Sequence, residues 1–232
     1  MKKLCLLSLL CSVLLVLVLP VFAEKTNNYN EKTFYPVDQG IYVESFKSFR
    51  DNLNKIIYEK DFDAFEPIIA EDITFTFGDK KGKKAFIDDW QLNHSAETER
   101  NQEFWDTLKK LLKYGGTFIA DKEFHCPYYS AVWPDTYDPY LFGAVLGEDV
   151  RTYKKDDNGK LNFYKAISYQ LVKLNDHIIE KYNGRDYYRI FLPSGEEVYI
   201  NKYYVGSPIG YRASFIQDSN NKWQMRLFIN GD

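Results

Sequence analysis

Residues 186–204 read DYYRIFLPSGEEVYINKYY. Tyr188, Ile190 and Leu192 alternate with Tyr187, Arg189 and Phe191, the period of two that a β-strand imposes on its side chains. Pro193 suits the second position of a type I turn and Gly195 the fourth. Val198, Tyr199, Ile200 and Tyr203 resume the strand. The stretch predicts a β-hairpin closed by Pro193-Ser194-Gly195.

The pattern around it is also β from Leu141 onward. Phe142 to Tyr153 and Ala166 to Leu174 are strand-forming runs, with a charged loop at Lys154–Lys160 and a polar loop predicted over His177–Arg185. Ala213–Ile216 and Trp223–Ile229 flank Asp218-Ser219-Asn220-Asn221 and predict a second hairpin.

Earlier in the chain the period changes. Phe46, Phe49, Leu53, Ile56 and Ile57 share one face of a helix predicted over Ser45–Glu59, with Ser45 as its cap. A shorter helix is expected within Asp61–Ala70, a strand at Ile73–Phe77 and a helix at Lys83–Leu92. Glu99–Tyr114 carries Phe104, Trp105, Leu108, Leu111 and Leu112 and is stopped by Gly115-Gly116. Thr117–Tyr140 contains Pro127, Pro134 and Pro139 and is expected to be irregular.

The 186–204 hairpin, its double Tyr203-Tyr204 and the Asp149-Val150-Arg151 step together resemble a bacterial SH3-like (SH3b) domain over roughly residues 140–206. The resemblance implies a small β-barrel, a binding role, and a ligand in the cell envelope, with peptidoglycan or an envelope protein as partner. Two positions depart from that pattern. Tyr187 stands where such modules carry Trp, and Val198-Tyr199 where they carry Gly-Trp, so a Trp-dependent ligand groove is not carried over. Residues 45–90, with DFDAF, IAEDITFTFG and GKKAF in order, are similar to the opening of NTF2-like α+β cone folds. That likeness implies a small-ligand pocket around Phe75, Phe77 and Trp90.

The expected fold class is therefore α+β: a helical α+β domain over 40–137, then an SH3-like β-barrel with a C-terminal β-hairpin extension over 138–232. Residues 24–39 are polar and without periodicity, and predict a flexible leader. Residues 1–23 combine Lys2-Lys3, an apolar run from Leu4 to Leu19 and a Val21-Phe22-Ala23 end suited to signal peptidase. These are the parts of a signal peptide cleaved after Ala23, and imply a periplasmic or secreted protein. Retention of the segment as an anchor is the alternative.

The net charge is −3, with 30 basic and 33 acidic residues intermixed. Nucleic acid is not expected as a partner, because phosphate binding needs concentrated Lys and Arg. Cys5 and Cys11 lie in the signal segment and leave Cys126 alone, so no intrachain disulfide is expected beyond it. His125 and Cys126 are adjacent and point to opposite sides of an extended chain, which argues against a nucleophile–base pair. No His-x-x-x-His spacing, phosphate loop or Gly-x-Ser-x-Gly is present. Neither a cofactor nor a metal is expected. A cell-wall hydrolase with the barrel as targeting module is the catalytic alternative.

Aromatics carry the remaining functional signal: Tyr 19, Phe 17 and Trp 4. Tyr153, Tyr187, Tyr199, Tyr203 and Tyr204 map to the β region and are one candidate ligand-binding group. Tyr128, Tyr129 and Trp133, near His125 and Asp135, are a second, expected at a seam between domains. Core packing is the competing account of both.

Overall fold

The computed structural model describes residues 27–93 and 98–231. The expected signal peptide lies outside the described residues. Among them, no helix is long and apolar enough to cross a membrane.

The fold is mixed α+β, with five α-helices and two sheets among the described residues. Helix α1 spans Glu44–Glu59 and buries Phe46, Leu53, Ile56 and Ile57. Its preceding residue is Val43, so Ser45 lies inside the helix and is not its cap. Helix α2 is one turn, Phe62–Phe65, capped by the Asp61 carboxylate, which accepts from the Ala64 amide at 3.0 Å. A short 3₁₀ turn carrying Pro67 ends it, and strand β1 runs Ile69–Thr74. Helix α3 spans Gly82–Trp90 and helix α4 Glu99–Lys113. Thr98 caps α4 by accepting from Asn101 N at 3.1 Å.

The expected irregular stretch after α4 holds an antiparallel pair instead. Strands β2 (Thr117–Ala120) and β3 (Glu123–Cys126) pair with each other, and a one-turn helix α5 follows at Tyr128–Ala131. The turn at Asp121-Lys122 was hidden among prolines and aromatics.

The second sheet follows. Its strands are β4 (Phe142–Val145), β5 (Val150–Lys155), β6 (Leu161–Ile167), β7 (Leu171–Tyr182), β8 (Arg185–Phe191), β9 (Glu197–Asn201) and the two-residue β10 (Val205–Gly206). The order is β10-β4-β7-β8-β9-β5-β6. The β8–β9 hairpin forms as its residues predict: Gly195 N donates to Leu192 O at 2.8 Å across Pro193 and Ser194. The polar stretch expected as a loop from His177 is strand as far as Tyr182, because β7 continues as an arm paired with β8.

The expected SH3-like barrel is not closed. The edge strands β10 and β6 do not pair, since β10 has two residues and β6 is largely exposed along its length. The sheet nonetheless curls onto itself. Val205 from one edge and Ile167 from the other share one core with Val150, Ile190, Val198 and Ile200.

The last two strands, β11 (Arg212–Gln217) and β12 (Trp223–Ile229), form the expected hairpin, but not as an extension of the second sheet. They enter the first, whose order is β1-β12-β11-β3-β2. Strand β12 runs parallel to β1, with Ile69 opposite Met225, and β11 runs antiparallel to β3. The division at residue 137 is corrected accordingly: β4–β10 interrupt one α+β layer whose sheet is completed by the C-terminal strands. The reason is burial. Phe215, Met225 and Phe228 are fully enclosed by α1, α3 and α4, and only this sheet offers them an apolar face.

The flexible leader is also corrected for the described residues 27–39. Tyr29 OH donates to Phe191 O at 2.8 Å, Leu171 N donates to Lys32 O at 2.9 Å, and Phe34 is buried. At the far end Gln39 N donates to Gly116 O at 2.8 Å. The segment straps the second sheet to the first.

Gly116 sits where that strap, α4 and β3 meet. A Cβ there would lie 2.0 Å from the His125 carbonyl oxygen, which is backbone and cannot swing aside. Gly116→Ala is expected to destabilise the protein by about 1–3 kcal/mol through overpacking, read as a fall in the urea midpoint with unchanged slope.

Candidate functional site

Strand alternation sorts the β8 side chains. Tyr188 and Ile190 face the core, while Arg185, Tyr187 and Arg189 face outward. The register sets Tyr153 opposite Tyr199, Tyr199 opposite Arg189, and Tyr187 opposite Asn201. These outward residues belong to β5, β9 and β8, and form one surface.

At one end of that surface is a groove of about 350 Å³. Its walls include Tyr153, Tyr187 and Tyr204, with Glu148, Asp149, Arg151, Arg185 and Asn201 as polar groups. Tyr153 meets Tyr187 edge to face at 5.8 Å, and Tyr182 meets Tyr187 in the same manner at 6.4 Å. Tyr187 is only 7% exposed, so it forms the floor. Tyr204 is 42% exposed and stands on the 3₁₀ turn after β9. Asn201 holds that turn by accepting from Tyr203 N at 2.9 Å.

The structure thus divides the first predicted group. Tyr153, Tyr187 and Tyr204 line one groove. Tyr203 packs edge-on against Tyr204 at 5.1 Å and faces the adjoining cleft. Tyr199 is 8% exposed and belongs to an ion-pair network instead. Its hydroxyl donates to Glu180 at 3.2 Å, and Lys155 lies 5.1 Å from its ring centre. Glu180 also accepts from Lys155, and Arg189 binds Glu197 at 2.7 Å. Hydrogen bonding to Lys155 pulls the Glu180 carboxyl below its ordinary pKa.

The second predicted group proves to be packing. Tyr128 and Tyr129 are buried with Phe34, Ala144, Leu146 and Leu171, and Trp133 packs on the edge of that cluster. The Trp133 indole donates to Tyr137 O at 2.7 Å. Tyr129 lies flat over Gly206, where a Cβ would come within 2.9 Å of its ring. Burial raises the hydroxyl pKa of both Tyr128 and Tyr129. His125 is bound to Glu123 at 2.9 Å, and Asp135 is exposed.

The Cys126 thiol is buried and pushed up to about 12 by desolvation, the reverse of what a nucleophile needs. The carboxyls whose pKa departs among the described residues, Asp89, Asp156, Glu180 and Glu196, all move down, held there first by hydrogen bonds. Glu66 and Glu71 flank a single Lys83 at 3.6 and 3.5 Å. Among the described residues, no group of three or more His, Cys, Asp or Glu side chains is gathered to hold a metal.

The small-ligand pocket expected in the first layer is not there as drawn. Trp90 packs on Phe104, Tyr211 and Phe228, and Phe75 packs on Phe86 at 5.5 Å. Phe77 is 61% exposed. Aromatic rings fill the space the pocket would need.

The cleft beside the tyrosine groove was not anticipated. It holds about 650 Å³ and brings together Lys110, Lys181, Arg185 and Lys202. Nothing in the spacing of these four residues marks them as neighbours. Comparison with protein-family models, curated proteins and solved structures finds no match to this chain.

The Tyr128 hydroxyl is buried without a hydrogen-bond partner among the described residues. Removing an unsatisfied polar atom from an apolar site relieves its desolvation cost. Tyr128→Phe is expected to leave stability unchanged or raise it by about 1 kcal/mol, measured by urea unfolding. A ligand-contacting hydroxyl would instead show lost binding.

Proposed function

We propose that this chain is an exported, non-catalytic binding protein of the cell envelope, and that the groove of Tyr153, Tyr187 and Tyr204 holds its ligand, peptidoglycan or an envelope protein. The observation that carries the reading is the convergence of three tyrosines from β5, β8 and the turn after β9 on one groove with two guanidinium groups, two carboxylates (Glu148 and Asp149) and an amide. Tyrosine rings offer flat apolar faces for sugar rings, and Arg and Asn supply donors for hydroxyl and amide oxygens. A concave site with a few convergent polar groups is the usual form of a ligand site.

The SH3b-like features support the same reading. The Pro193-Ser194-Gly195 turn closes its hairpin, and Asp149-Val150-Arg151 leads into β5 on the rim of the groove. The export assignment rests on residues 1–23. The NTF2-like opening is supported by the order α1, α2, β1, α3, with Gly82-Lys83 starting α3. The filled aromatic interior speaks against a small-ligand role for that layer.

The test is retention of the chain from residue 24 on insoluble peptidoglycan, beside Tyr153→Ala and Tyr204→Ala. Loss of an aromatic contact of this kind is expected to weaken binding about tenfold, or ~1.4 kcal/mol. Tyr128→Phe serves as a control and should be retained like the wild type. Unchanged retention of the folded double variant would remove the groove from the account. Absence of any retention would remove peptidoglycan and leave an envelope protein as the ligand.

A further inference from the structure

We propose that the basic cleft adjoining the tyrosine groove is an anion-binding subsite, which takes a carboxylate or phosphate borne by the ligand. The cleft is built from three separate elements. Lys110 comes from the last turns of α4, Lys181 and Arg185 from the paired ends of β7 and β8 beside their turn, and Lys202 from the turn after β9. Asp186 is the one acid among its lining residues. Four cations against one carboxylate make a local charge of +3 in a chain whose net charge is −3. Such a concentration in a concave surface focuses the field on an incoming anion.

The four cations have no acidic partner among the described residues, although Lys110 and Lys202 each lie 5.8 Å from a ring centre, those of Tyr203 and Tyr188. Among the described residues, none of them lies within 4.0 Å of a carboxylate. Elsewhere on the same sheet Lys154 pairs with Glu196 at 2.7 Å, Arg189 with Glu197 at 2.7 Å, and Lys155 with Glu180, whereas among the described residues Arg151, Lys165 and Lys173 stand singly without a carboxylate partner. What sets the cleft apart is that four such cations are gathered on one concave surface. A simpler role, complementing the negative end of α4, accounts for Lys110 and Lys113. It does not account for Lys181, Arg185 or Lys202, which lie on other elements.

Lys110 is half-buried, with its ammonium 5.8 Å from the Tyr203 ring centre. Burial first, and then the charges of Lys202 and Lys113, push its pKa down. Like charges crowd a partly desolvated amine, and a bound anion removes that repulsion.

Arg185 and Asn201 line both the cleft and the groove. One ligand therefore spans the two, with a ring against the tyrosines and a charged group among the lysines. The inference extends the saccharide version of the proposed function, on whose groove it rests. An anionic saccharide is the class of ligand that fits, with its charge supplied by a carboxylate or a phosphate.

The test uses calorimetric titration of the chain from residue 24 with three probes: a neutral oligosaccharide of N-acetylglucosamine, its counterpart containing N-acetylmuramic acid, and inorganic phosphate. The muramyl oligosaccharide is expected to bind at least tenfold tighter than the neutral one. That preference should shrink as salt is raised and disappear in Lys110→Ala and in Lys202→Gln, while Tyr204→Ala weakens both saccharides equally. Phosphate binding alone, lost in the two lysine variants, upholds the subsite, assigns its anion to phosphate and removes the peptidoglycan reading. Equal binding of the two saccharides leaves the tyrosine groove standing and overturns the subsite. So does binding unaffected by the lysine substitutions, or no binding of any probe.

Discussion

The parallel pairing of β12 with β1 is the constraint on which the rest of the structure depends. Ile69 meets Met225 across the described length of the chain. The apolar rings of β12 and β11 finish the first core. Phe228 touches Phe86, Trp90, Phe104 and Tyr211, and Trp223 touches Phe46, Phe49 and Phe118. Helices α1, α3 and α4 would face water on their apolar sides without these strands. Burying a large aromatic side chain contributes about 1.5–3 kcal/mol, so several of them together decide whether the layer is stable. Contacts between such distant segments also bear a high loop-closure entropy, which slows folding.

This closure positions the candidate site. Because the chain leaves the first sheet at β3 and re-enters at β11, the curled second sheet is tethered at both ends. The 27–39 segment adds a third tie through Tyr29, Lys32 and Phe34. Tyr129 seated on Gly206 locks the seam between the sheets. The end of α4 is thereby held against the β7–β8 and β9 turns, and Lys110 enters a cleft otherwise built by the second sheet. The site is thus a product of both units.

Local patterns were legible in the sequence and long-range pairings were not. The Pro193-Gly195 turn and the flanking alternation announce β8 and β9, and the 3–4 spacing of apolar residues announces α1 and α4, because short-range geometry creates those patterns. The Trp223–Ile229 hairpin was recognisable too. Its destination was not, since nothing local in a strand says which sheet receives it. Residues 27–39 read as a leader because Tyr29 and Phe34 sit singly among polar neighbours. The arm of β7 beyond His177 carries no apolar alternation in sequence, because its half-buried face, Ile178, Glu180 and Tyr182, and its exposed face, His177, Ile179 and Lys181, each mix apolar and polar residues. Of the candidate residues, Tyr153, Tyr187 and Tyr204 share a groove as β-strand geometry permits. Tyr128 and Tyr129 lie in the core and Trp133 packs half-buried at its edge, the competing role of any aromatic. The basic cleft has no sequence signature, because the fold alone assembles its four cations.

The central claim is that the C-terminal strands belong to the first core. The most direct measurement is unfolding of a chain ending at Gly210, which lacks β11 and β12, followed by far-UV circular dichroism and by Trp90 and Trp105 fluorescence. The account predicts loss of cooperative unfolding of the helices and exposure of both tryptophans to solvent before any denaturant is added. Native-like helix content with a sharp transition and buried tryptophans would contradict it.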